Sequence, residues 1–256
     1  QDQCSGSAVL EAVRYATGLL PDKQPEQTAD VINISLGGPG RSDYVADVYQ
    51  RACQTGALIV SSAGNENSSR LSYPASYPCV FSVAAVGSTG ERASYSNFSS
   101  EVDVSAPGGS ASFSGEGVLS TLPPQGYGYR VGTSMAAPHV SGVFGLLKSV
   151  RGDIDSSRAR SWLQQNKLTT IAPGMNGQSR TDRYGYGLLS ADKAVRTARA
   201  SLGPSLLVTP GTLRFDPITG SREFEVSSVG GNVSIQEVHS DRDWVSVEPV
   251  DDEQTD

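Results

Sequence analysis

Hydrophobic and polar positions change period several times along the chain, and each change marks an element. Val9, Leu10, Val13 and Ala16 recur at helical spacing within 5–17, and Gly18 stops the pattern. Residues 21–27 are polar and read as a loop. Val31-Ile32-Asn33-Ile34-Ser35-Leu36 is a β-branched run closed by Gly37-Gly38-Pro39-Gly40, which predicts a buried parallel strand ending in a turn. A helix is expected over 42–55, capped by Ser42 and ended by Gly56. Ala57 to Ser62 is a second buried strand, ending at Ala63-Gly64-Asn65, and 80–86 is a third. This strand–helix–strand order predicts an α/β fold with a parallel sheet flanked by helices. Runs at 118–122 and 127–131 flank Pro123-Pro124-Gln125-Gly126 and predict a hairpin. Helical character returns over Val140 to Val150, 157–166 and 190–201. From Leu206 the period drops to two, with short strands expected at 205–209, 213–215, 223–227, 233–238 and 244–247. The chain is therefore expected to divide into an α/β domain over 1–203 and a small, incomplete all-β appendage over 204–256, ending in an acidic tail at 251–256.

Composition narrows the classes of function. The 256 residues carry 20 Lys+Arg against 27 Asp+Glu, a net charge of −7. That balance argues against nucleic acid as a partner and against a polybasic membrane anchor. No apolar run approaches the roughly 20 residues of a membrane span. The opening Gln1-Asp2-Gln3-Cys4 lacks the charged-then-apolar pattern of a signal peptide and reads as an internal start. Plentiful Gly and Pro with modest charge fit a loop-rich extracellular enzyme. The three cysteines, Cys4, Cys53 and Cys79, cannot all pair with one another. A helix packed on a parallel sheet runs antiparallel to its strands, so the last turn of helix 42–55 lies at the edge where strand 80–86 begins. Cys53 and Cys79 are expected to meet there, within the roughly 4.4–6.8 Å Cα separation of a disulfide. Cys4 heads a helix at the opposite edge and should pair elsewhere or stay free. Three free thiols are the alternative.

Candidate chemistry concentrates in Gly132-Thr133-Ser134-Met135-Ala136-Ala137-Pro138-His139-Val140. A small-residue turn after a strand puts Ser134 at the start of a helix. There a hydroxyl is presented at a rim, and helix-end N–H groups can receive a developing negative charge. The ordinary reading of such a serine is an N-cap. Three neighbours favour a nucleophile instead. Gly132 admits close backbone approach, and Ala136 and Ala137 leave the helix start open. Pro138 removes the N–H that would bond the Ser134 carbonyl, a local inconsistency of the kind expected at functional sites.

These nine residues closely resemble the nucleophile motif of subtilisin-like serine proteases. Ser35-Leu36-Gly37-Gly38, Ala63-Gly64-Asn65-Glu66, Tyr73-Pro74-Ala75 and Tyr184-Gly185-Tyr186-Gly187 resemble further motifs of that family. The resemblance covers 1–203 and implies acyl transfer by a serine endopeptidase of bacterial, secreted type. It implies Ser134 as nucleophile and Asn65 as the oxyanion-hole amide. It implies Ser35, Leu36 and Gly37 as an edge pairing with an extended protein or peptide substrate. Ala63 and Gly64 would wall the pocket for the residue before the cut, with Glu66 at its rim, Ser72 near its base and Thr133 among the substrate contacts. Val131 departs from the family, where asparagine is common. Residues 205–247 resemble the start of a bacterial Ig-like sandwich. Asn33, Asn67, Asn97 and Asn232 match the glycosylation sequon, which is uninformative at Asn33 in a predicted core strand.

A serine nucleophile needs a base and a carboxylate to orient it. The chain has two histidines. His139 lies five residues beyond Ser134, about 140° round the helix, and is expected to be a buried structural imidazole. His239 falls in the appendage. The family's Asp and His motifs lie upstream of helix 5–17, so an N-terminal fragment of the same protease is the expected partner. An inhibitory propeptide and autoprocessing also follow from the resemblance. No cofactor is needed for the chemistry. A structural calcium ion would take its main ligands outside this chain. The alternatives are an inactive scaffold or binding module that kept the fold, and a non-protease hydrolase. An intact Ser134 and Asn65 weigh against the first, and the Ser35 edge weighs against the second.

Overall fold

The computed structural model describes residues 5–110, 116–203, 205–209 and 225–229. The chain forms two compact units, 1–198 and 199–256. The first contains α1 (Gly6–Ala16), β1 (Val31–Ile34), α2 (Asp43–Gln54), β2 (Leu58–Ser62), β3 (Phe81–Val86), β4 (Val104–Pro107), β5 (Val118–Thr121) and β6 (Tyr127–Arg130). Then come α3 (Thr133–Val150), α4 (Ser156–Gln164), β7 (Thr169–Thr170), a 3-10 turn at Pro173–Met175, β8 (Leu188–Leu189) and α5 (Ala191–Ala200), which spans the boundary. In the second unit β9 (Ser205–Thr209) pairs antiparallel with β10 (Glu225–Val229). The strands expected at 213–215, 233–238 and 244–247, with Cys4, Asn232, His239 and the acidic tail, lie outside the described residues.

Six strands form one sheet in the order β1-β2-β3-β4-β8-β7. All neighbours are parallel except β7, which runs antiparallel to β8 at the margin. Helices cover both faces, so the central strands carry apolar residues on both sides. Leu58, Val60, Phe81, Val83 and Ala85 point to a core shared with Ala136, Val140, Phe144 and Leu147 of α3. Ile59 and Val80 point the other way, to Leu10 and Val13 of α1 and to Val48, Tyr49 and Ala52 of α2. Phe81 and Phe144 meet edge-on, with ring centroids 4.8 Å apart. Fully burying side chains such as Phe144 and Leu147 stabilises the α3–sheet contact by roughly 2–3 kcal/mol each. Ser5, Ser42 and Asp155 cap α1, α2 and α4 by accepting from the backbone N–H three residues on.

β1 is parallel, as its pattern predicts, but it is not buried. Only Ile34 is inside, and Asn33 is exposed. The reason is position: β1 ends the strand order among the described residues, so it has a hydrogen-bonded neighbour on one side only. The Cys53–Cys79 disulfide forms with Cα atoms 6.2 Å apart, at the edge where β3 begins. The topology does this: α2 runs back across the sheet and delivers its last turn to that edge.

Candidate active site

Ser134 belongs to the first turn of α3 and is not its cap. The cap position falls on Gly132, whose φ is 147° and which has no side chain to cap the helix. The N-cap reading of Ser134 is thereby set aside. Gly132 is bonded through its N–H to the Gly108 carbonyl at 2.9 Å. Tyr95 Oη lies 2.8 Å from the Gly108 carbonyl and 2.7 Å from that of Gly109, bracing the same corner. Burial pushes the Tyr95 phenol up to about 12. This corner joins the β6 end of the hairpin to α3 at a fixed angle and needs a residue free to take positive φ.

Asn65 follows β2 in the loop 63–70. Its Oδ1 accepts from the Thr133 backbone N–H at 2.8 Å and from Thr133 Oγ1 at 2.9 Å. Thr133 Oγ1 in turn accepts from the Gly64 N–H at 3.2 Å. With its oxygen tied this way, Asn65 keeps Nδ2 for a partner from outside. A β-carbon placed on Gly132 would stand 3.6 Å from Asn65 Nδ2 and 3.7 Å from both Asn65 Oδ1 and the Ser134 backbone nitrogen. The Asn65 amide and the Ser134 N–H thus border one small space beside Gly132, a position that its positive φ reserves for glycine. Such a space suits an oxyanion.

Thr133 was expected to touch substrate, and the structure corrects this. The residue is fully buried and reaches the site only through Asn65 and Gly64. His139 is also corrected: it is exposed, with Nδ1 2.8 Å from the Met135 carbonyl. The buried face of α3 runs through Thr133, Ala136, Ala137, Val140, Phe144 and Leu147, and position 139 falls outside it. With Val118, Ser120, Met135 and Pro138, His139 lines a cavity of about 250 Å³ beside the hairpin.

The remaining candidates gather around the same loops. Gly38 and Tyr73 exchange backbone hydrogen bonds at 3.0 and 2.9 Å, and Ser72 N–H donates to the Ala63 carbonyl at 3.2 Å. Segments 35–38, 63–66 and 72–73 are therefore neighbours. Gly37 lies so close to Ser72 and the Tyr73 carbonyl that a β-carbon there would come within 2.9 Å of each. Leu36 is half exposed. Glu66 is not simply solvated: its Oε2 accepts from the Asn65 N–H at 2.9 Å and from Asn97 Nδ2 at 2.7 Å.

Asn97 was missed as a site residue; the sequence marked it only as a sequon and as part of 94–99, which resembles a polar turn of the family. It is buried, and its Oδ1 accepts from Glu66 and Ser68 N–H, each at 2.9 Å. Its Nδ2 also donates to the carbonyls of Ala63 and Arg70 at 3.2 and 3.1 Å. One amide braces the whole Asn65 loop. A lone Asn between Ser96 and Phe98 carries no local signal of that task. Among the described residues, no three His, Cys, Asp or Glu side chains gather as a metal-binding set.

Comparison with known proteins bears on the family. The pattern of the Subtilase family (Peptidase S8) matches residues 1–187. Over 146 residues the chain is 43% identical to the major intracellular serine protease of Bacillus subtilis, covering 55% of this chain and 41% of that one. Over 202 residues it is 36% identical to an extracellular protease of Xanthomonas campestris pv. campestris, covering 77% of this chain and 34% of that protein. A solved structure described as proteases from Pseudoalteromonas arctica superposes with a TM-score of 0.68 at 36% identity, over 76% of this chain and 59% of the other. The chain thus spans between about a third and three-fifths of these relatives' length.

Proposed function

The chain belongs to the subtilase family, and on that premise we propose that it forms the nucleophile-bearing part of a serine endopeptidase. Ser134 Oγ attacks the carbonyl of an extended peptide. A histidine takes the proton and later returns it to the leaving amine, and an aspartate orients that histidine. Both lie in a segment other than these 256 residues, so this chain by itself is inactive. The observation that carries the reading is the pair of donors, Asn65 Nδ2 and Ser134 N–H, around the space in front of Gly132. They hold the tetrahedral oxyanion. Ser35, Leu36 and Gly37 offer backbone to the substrate strand. Ala63, Gly64 and Ser72 shape the pocket for the residue before the cut, and Glu66 gives its rim a negative charge.

Secretion is part of the proposal. The Cys53–Cys79 bridge favours an oxidising compartment, as does a relative named extracellular, although another is named intracellular. No helix among the described residues is long and apolar enough to cross a membrane. An inhibitory propeptide, autoprocessing and a calcium ion held by ligands outside this chain complete the reading.

The test is native mass spectrometry with a serine-directed fluorophosphonate. The expected result is a complex heavier than this chain, with label on Ser134 and none after Ser134→Ala. That substitution should lower peptide hydrolysis on the order of 10⁴-fold or more without unfolding the chain. Undiminished hydrolysis by Ser134→Ala would overturn the proposal.

A further inference from the structure

Ser134 is held from an unexpected direction. In an α-helix the carbonyl of residue 134 accepts from the N–H of residue 138. Pro138 has no N–H, so this carbonyl loses its helical partner inside the first turn of α3. Ser35 supplies the replacement. Its Oγ donates to the Ser134 carbonyl at 2.9 Å, from 99 positions away in the chain. Ser134 Oγ answers by donating to the Ser35 carbonyl at 3.1 Å. The first bond anchors the backbone of Ser134; the second engages the one hydroxyl proton that the histidine takes during reaction, so only the first persists in the assembled protease.

Ser35 is itself oriented. Its Oγ accepts from Asn33 Nδ2 at 2.9 Å, and Asn33 Oδ1 accepts from Ser141 Oγ at 2.9 Å. The relay leaves α3 at Ser141, crosses the exposed residue Asn33 of β1, and returns to α3 at Ser134. From Asn33 onward the donors point toward the carbonyl that Pro138 leaves open, while the one Ser141 hydroxyl proton is shared between Asn33 Oδ1 and the Ala137 carbonyl, 3.2 Å away. The Ser35 hydroxyl has one proton, and Asn33 reserves it for Ser134 by occupying the oxygen as a donor.

We infer that the Ser35 side chain is a positioning residue for the nucleophile, working as a substitute for the amide that Pro138 removes. This rests on the reading of Ser134 as nucleophile and adds to it a task distinct from that of the Ser35 backbone toward substrate. A positioning role acts on the chemical step more than on substrate binding.

The test is a double-mutant cycle in the active protease that carries this chain together with the segment supplying His and Asp. Ser35→Ala should lower kcat about tenfold, with KM changed less than about twofold. Pro138→Ala restores an N–H to residue 138. In that background the same Ser35→Ala substitution should change kcat by less than about twofold, because the Ser134 carbonyl again has its helical donor. Ser35→Thr, which keeps the hydroxyl, should recover most of the loss. Thermal unfolding of each variant separates this from misfolding. An equal loss in both backgrounds, a change confined to KM, or no loss overturns the inference while leaving the peptidase reading intact. A wild-type protease that neither hydrolyses peptides nor takes up fluorophosphonate at Ser134 overturns both.

Discussion

At the amino ends of the strands, charged and covalent ties join elements to one another. Arg160 of α4 pairs with buried Asp103, bonds the Val80 carbonyl at 3.3 Å and stacks over Phe81 at 4.7 Å. Lys148, near the end of α3, donates to the carbonyls of Gly56 at 3.0 Å and Gly152 at 3.2 Å, with Asp30 at 3.7 Å. The Cys53–Cys79 bridge closes the same edge. At the carboxyl ends the ties are mostly amides and hydroxyls, with the Glu66 carboxylate the charged exception, and they leave donors over. Asn65 commits its oxygen to Thr133 and keeps its nitrogen, and the first turn of α3 keeps a free N–H. The difference follows from helix direction. Crossover helices bring carbonyl-rich C-termini to one end of a parallel sheet, where cations satisfy them. They bring N-termini to the other end, where negative charge is favoured. Stability devices collect at the first end and chemistry at the second.

That division can be broken from either side. Asn65→Ala should lower kcat by about 10²–10³ with little change in KM, a range set by the equivalent donor in subtilisin itself. Unfolding temperature should also fall, though less than for the next variant, because buried Thr133 loses its acceptor; steady-state kinetics with a circular dichroism melt would check both. Arg160→Ala should do the reverse. It leaves Asp103 buried without its cation, which destabilises by about 3 kcal/mol, while kcat of the folded fraction stays near wild type. Chemical denaturation reads the first part and active-site titration the second.

Replacing Cys53 and Cys79 together by alanine should cost about 2–4 kcal/mol by freeing a loop in the unfolded chain, again with kcat retained. The smallest effect is alkaline. Burial, followed by the neighbouring Tyr77, pushes the Tyr49 phenol up to about 12, and burial does the same to Tyr95. The unfolded chain loses these protons near pH 10. Between about pH 10 and 12 the folded state therefore binds more protons than the unfolded one, and stability falls as pH rises. Tyr49→Phe and Tyr95→Phe should each flatten that slope in a pH series of melts.

How much was legible differs between the two ends. The paired cysteines could be placed because element direction alone locates both. Arg160 and Asp103 gave no sign of each other, since an arginine in a polar helix is ordinarily a solvated one. Gly132, Ser134 and Pro138 stood out because their local chemistry is unusual for a helix start, whereas Asn65 stood out only through the resemblance of its motif. The second tier did not: Asn97, the Ser35 hydroxyl, Asn33 and Ser141 are common polar residues in unremarkable surroundings. Thr133 and His139 were read the wrong way round, one as exposed to substrate and one as buried. Periodicity places a helix more securely than it rotates one about its axis.

By itself the sequence determined the order of elements, the parallel sheet, the turn that presents Ser134 and the absence of a helical donor for its carbonyl. These are local properties, set by side-chain period, by glycine's conformational range and by proline's missing N–H. The tertiary structure decided which face of α3 is buried, which atom of Asn65 is left free and which distant hydroxyl replaces the amide that Pro138 lacks. Those outcomes depend on hydrogen bonds between residues some 30 to 108 positions apart. No window along the chain contains both partners, and only folding brings them within reach.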